Sequence, residues 1–167
     1  SNSKENEAKV ITFEPPSDGR YNDEFYVYFT NKIKNAKRNI FITGDGFECK
    51  NEEGRKRAEM MRSALHNALA NGVHVVRLET NASASDEWAH MIASLMRFSK
   101  GNFEYYVVRP EQTAQLASFC VIDPDTPNCV VEIMLSMERE FGMMDKLDLA
   151  GTAVFINREV PLAMDLK

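Results

Sequence analysis

The amino-acid sequence predicts an α/β domain built on a mixed, mainly parallel sheet with helices on both faces. Three observations predict it. Segments with apolar residues at helical spacing alternate with short apolar runs through the first two-thirds of the chain. That order (helix, strand, helix, strand, helix, strand) calls for parallel strands joined by right-handed crossovers. The last third changes character: two apolar runs flank the turn-rich Pro124-Asp125-Thr126-Pro127-Asn128, which reads as an antiparallel β-hairpin.

Taken in order, Ser1 to Lys9 is polar, and Val10 to Phe13 suits a short strand that Pro15-Pro16 ends. Asn22 to Ala36 is expected as a helix with Phe25, Phe29, Ile33 and Ala36 on one stripe. Asn39 to Thr43 is a buried strand leading into Gly44-Asp45-Gly46. Glu52 to Ala70 is a long helix that turns Met60, Met61, Ala64, Leu65, Ala68 and Leu69 inward, and Asn71-Gly72 stops it. Val73 to Leu78 is the next strand. Ser85 to Ser99 follows as a helix with Trp88, Met91, Ile92, Leu95 and Met96 inward, ended by Gly101. Phe103 to Val108 is a strand, Gln115 to Asp123 and Cys129 to Leu135 form the hairpin arms, and Thr152 to Ile156 is a late strand. Residues 1–20 are expected as a flexible leader with one short strand, and residues 21–167 as a single domain.

Composition bounds the function. With 167 residues, 44% of them apolar, the chain can bury one sizeable core. A net charge of -5 argues against general nucleic-acid binding. No apolar run approaches the roughly 20 residues that cross a bilayer. Cys49, Cys120 and Cys129 have no metal-ligand spacing, and their odd number suits reduced thiols in a cytoplasmic protein. Cys120 and Cys129 lie on the two hairpin arms, where register decides whether they meet. His66, His74 and His90 are not spaced as a ligand set. Neither a metal nor a cofactor is expected. The opening Ser1-Asn2-Ser3 reads as a remnant of expression, so the chain is taken as a piece of a longer protein.

Several local phrases occur in a telling order. They are Ile33-Lys34-Asn35-Ala36-Lys37-Arg38-Asn39-Ile40-Phe41-Ile42, then Leu69-Ala70-Asn71-Gly72-Val73-His74-Val75-Val76, then Phe119-Cys120-Val121-Ile122-Asp123. Together they resemble a single phospholipase D-like domain, spanning about Tyr21 to Lys167. Active members of that family carry His-x-Lys-x4-Asp: the His attacks phosphorus, the Lys holds phosphate oxygens, and the Asp completes the hydrogen-bonded set. Aligned on Asp123, the pattern places Leu116 at the His position and Ser118 at the Lys position. Val130-Val131 stands about where a Gly-Ser pair would help line the pocket. Covalent phosphodiester cleavage needs an activated nucleophile, and an apolar side chain holds its place. The resemblance therefore implies a degenerate, non-catalytic copy acting as a binding, regulatory or dimerisation module. Family sites form where two such domains meet, which implies a homodimer or a neighbouring domain, with a phosphate-bearing small molecule as a candidate ligand.

Two other readings stand beside this one. Open α/β sheets bind ligands at the carboxyl edge of their strands, where Asp45, Thr80, Asn81, Arg109 and Ser118 are expected, with Asp123 ending the signature strand. An enzyme of other chemistry would use Asp45, Glu48 and Asp123 as carboxylates sharing a cleft. A nucleotide-binding Rossmann-like turn at Gly44-Asp45-Gly46 is the third reading, although G-x-G-x-x-G and an immediate helix are missing.

Overall fold

In the computed structural model, which describes residues 9–14, 23–80, 85–108, 118–135 and 152–157, helices and strands alternate much as expected. The strands are β1 (Lys9–Phe13), β2 (Asn39–Asp45), β3 (His74–Thr80), β4 (Phe103–Val108), β5 (Ser118–Ile122), β6 (Val130–Leu135) and β7 (Thr152–Asn157). The helices are α1 (Asp23–Lys34), α2 (Glu52–Ala70) and α3 (Asp86–Phe98). One sheet orders the strands β1-β7-β6-β5-β2-β3-β4. β2, β3 and β4 pair in parallel, while β5, β6, β7 and β1 add antiparallel on the other side of β2.

Local chemistry sets the helix ends. α1 begins with Asp23 and Glu24 and ends with Lys32 and Lys34, matching the helix dipole at both ends. Asn51 caps α2 by accepting a hydrogen bond from the Gly54 amide at 2.7 Å. Gly72, at φ 79°, turns the chain out of α2 in the left-handed region that glycine enters without cost from a Cβ. Ser85 caps α3, and its hydroxyl also bridges the chain ahead of α2, accepting from the Cys49 amide and donating to the Phe47 carbonyl.

All three helices of the described residues lie on one face of the sheet, where the sequence predicts them on both. Two crossovers of the same hand, each stepping one strand in the same direction, put α2 and α3 side by side. α1 packs beside α2 and closes over β7, where Phe25, Tyr28 and Phe29 surround Phe155 with ring centroids 4.7–5.9 Å away. This face holds the main core, including Ile33, Ile40, Leu65, Val75, Trp88 and Leu95. On α3 the inward stripe is Trp88, Ile92 and Leu95; Met96, expected inward, is 48% exposed because it falls off that stripe. The opposite face carries a smaller cluster of Val121, Cys129 and Val131. Cys120 belongs to the helix-covered core and Cys129 to the opposite cluster, so the hairpin register keeps the two thiols apart.

Candidate functional site

The carboxyl edge of the parallel strands gathers part of the expected set. β2 ends at Asp45, which pairs in register with Thr80 at the end of β3, and Thr80 pairs in turn with Val108. β5 runs antiparallel to β2, so its first residue, Ser118, arrives at the same edge. Asn81 and Arg109 lie outside the described residues. Asp45 is exposed, and its carbonyl accepts a hydrogen bond from Arg77 Nη2 at 3.2 Å. Glu48 is exposed in the loop beyond and pairs with Lys50 at 3.7 Å.

Asp123 goes to the other edge. Antiparallel β5 carries it to the start of β2, where its backbone amide donates to the Asn39 carbonyl at 2.8 Å. Its side chain, 3% exposed, accepts from the amides of Lys37 at 2.8 Å, Arg38 at 2.7 Å and Asn39 at 3.0 Å. A φ of 49° aims it there, a conformation that Asp tolerates better than most side chains. This carboxylate pins the α1–β2 connection to the hairpin. The cleft expected between Asp45, Glu48 and Asp123 therefore does not form, because strand direction sends Asp123 to the opposite edge.

A buried polar cluster near the carboxyl edge was not foreseen. Arg77 and Glu79 project from β3 onto the helix-covered face, 2% and 1% exposed. Glu79 Oε2 accepts from Arg77 Nε at 2.6 Å, and Oε1 accepts from Trp88 Nε1 at 2.9 Å and from the Tyr105 hydroxyl. The Arg77 guanidinium lies 5.3 Å over the Trp88 ring, and Phe47 packs on that ring with centroids 4.7 Å apart. Burial, then the bond to Glu79, holds the Tyr105 hydroxyl well above its usual range. Both carboxylate oxygens of Glu79 accept hydrogen bonds within the cluster. The signal for it in the sequence was the alternation of His74-Val75-Val76-Arg77-Leu78-Glu79, which puts Arg77 and Glu79 on the face of Val75.

The strand registers align one row across the helix-covered face: Ile11, Phe155, Glu132, Cys120, Ile42, Arg77 and Tyr105. Glu132 was also unforeseen, since it sits inside the otherwise apolar run Val130 to Leu135. It is 3% exposed, and burial pushes its carboxyl up to about 8. The same burial, and then the neighbouring Glu132, raises the Cys120 thiol.

Elsewhere the chemistry is sparse. A groove of about 400 Å³ between α1 and α2 is lined by Thr30, Asn31, Lys34, Lys56, Glu59 and Met60, among others. His66 stacks on Phe98, and His74 Nε2 meets Glu104 Oε2 at 2.6 Å on the exposed face. Among the described residues no three His, Cys, Asp or Glu side chains form a metal-binding group. None of their helices is long and apolar enough to cross a membrane.

The sequence matches no protein-family profile and no curated protein. Among solved structures, the chain is similar to a mutant of yeast tyrosyl-DNA phosphodiesterase, with a TM-score of 0.34 and 10% identity. The likeness covers 89% of this chain and 32% of that one, so the chain spans about a third of that protein's length. Neither the fold nor the site rests on this likeness.

Proposed function

We propose that this chain is a phospholipase D-like domain that works by binding or dimerising and does not cleave phosphodiesters. The observation that carries this reading is the internal use of its polar groups. Glu79 is held by Arg77, Trp88 and Tyr105, and Asp123 is held by three backbone amides. With Leu116 and Ser118 at the positions that the family gives to His and Lys, the nucleophile and the phosphate-holding cation of that mechanism are missing. Ser118, Asp45, Thr80, Asn81 and Arg109 are the groups proposed to line a small polar pocket at the carboxyl edge, with a phosphate-bearing ligand or a second copy of the chain facing them.

Two assays test this. Incubation with a chromogenic phosphodiester is expected to give no hydrolysis above the blank, and turnover abolished by Ser118→Ala would sink the proposal. Thermal unfolding against inorganic phosphate, nucleotides, phospholipid head groups and short DNA tests binding. A ligand at about 100 times its Kd adds about 2.7 kcal/mol, which raises Tm by roughly 5–11 °C in a domain of this size. A flat panel together with a monomer by light scattering would overturn the binding and dimerisation reading.

A further inference from the structure

Glu132 occupies a place where, among the described residues, a carboxylate has no counter-charge and, at 3% exposure, little access to water. β5 sets Cys120 on one side of it and β7 sets Phe155 on the other, both 0% exposed. From α1, Phe25, Tyr28 and Phe29 pack on Phe155 and close this part of the face. Among the described residues no ion pair brings a positive charge to Glu132, and Lys32 of α1 is engaged over the Tyr28 ring, 5.2 Å from its centroid. Cys120 offers a thiol, and the Tyr28 hydroxyl accepts from Asn157 Nδ2 at 3.0 Å. Arg77 lies two strands beyond Cys120 along the row and is already paired with Glu79. Among the described residues no hydrogen bond or ion pair reaches the Glu132 carboxyl, and burial is the one influence on its proton affinity. A charge left in such surroundings is far costlier than a neutral acid.

We infer that the antiparallel half of the sheet closes around Glu132 only in its protonated form, so that the domain carries a built-in proton and loses stability as pH rises from the acid range through neutrality. In the unfolded chain this carboxyl titrates near the ordinary Glu value of about 4.3. The folded state therefore holds one proton more between that value and about 8. Where the folded state holds the extra proton, stability falls with rising pH, by up to about tenfold in the folding constant per pH unit. Below the lower value both states are protonated, above the upper value both are ionised, and this contribution becomes flat on either side.

The test is urea unfolding of the whole chain at pH 5.5, 7.0 and 8.5, for wild type and Glu132→Gln. The wild-type midpoint should fall steadily across the series, and the Glu132→Gln midpoint should fall much less. Equal slopes in the two proteins would overturn the inference. If Glu132→Gln does not fold, the carboxyl carbon of Glu132 can be followed by NMR in wild type labelled at glutamate. A midpoint near 8 supports the built-in proton, and one near 4.3 refutes it.

Discussion

Asp123, Glu79 and Glu132 are all buried carboxyl groups, and what separates them is the supply of donors. Asp123 accepts three main-chain amides, and Glu79 accepts from an arginine, an indole and a phenol. Glu132 has none among the described residues, and burial pushes its carboxyl up to about 8. Charge-assisted bonds of this kind are worth about 1.5–3 kcal/mol each, and stranding their partners adds to the loss. Asp123→Ala is therefore expected to destabilise the domain by about 3 kcal/mol, because it orphans the amides of residues 37–39 and leaves Ala at a positive φ. Asp123→Asn keeps one acceptor oxygen and a side chain that accepts φ 49°, so it should lose clearly less. Urea midpoints of the two variants give the comparison, and equal losses would show that the hydrogen bonds are not what holds this corner. The family resemblance had given this Asp a place in a catalytic set; here it fastens the backbone instead.

At the scale of elements, α2 depends on one residue without a side chain. A Cβ at Gly54 would stand 2.3 Å from the Glu48 carbonyl oxygen, a backbone atom that cannot swing aside. Gly54→Ala brings the better helix former, worth about 1 kcal/mol in an open helix. The clash should outweigh that gain and leave the variant about 1–3 kcal/mol less stable, read as a lowered Tm. A stabilised variant would mean that the loop at residues 46–50 can move away from α2. Element positions were legible in the sequence, because apolar spacing marks a strand or helix regardless of its partners. α2 and β4 begin and end where the spacing predicts, and the hairpin and the late strand are present. Of the buried polar cluster, alternation along β3 marks only that Arg77 and Glu79 share a face with Val75; their meeting with Trp88 and Tyr105 was not legible, because it arises only once α3 has folded back over β3 and β4. Glu132 escaped for a different reason: its surroundings are apolar, so nothing beside it in the sequence signals a polar role. The edge to which Asp123 goes was settled by strand direction, which a run of apolar residues does not encode.

For the whole molecule, the sheet divides at β2 into halves assembled by different kinds of contact. β2, β3 and β4 are joined by crossovers short in sequence and share the helix-covered core. β1 is an edge strand that pairs with β7 alone, matching Lys9 with Asn157 across nearly the full chain. Closing so long a loop costs more conformational entropy than closing the local crossovers. β1 recovers less by burial, since three of its five residues are exposed and only Ile11 and Phe13 reach the core. Local opening should therefore start at β1 and β7 and reach β2 and β3 last. Amide hydrogen exchange is expected to be slowest in β2 and β3 and fastest in β1. A chain beginning at residue 15 should lose protection in β7, where Phe155 would lose its contact with Phe13, and keep it in β2 and β3. Uniform loss of protection across all strands would instead mean that the two halves unfold as one unit, with the β1–β7 pairing an integral part of it.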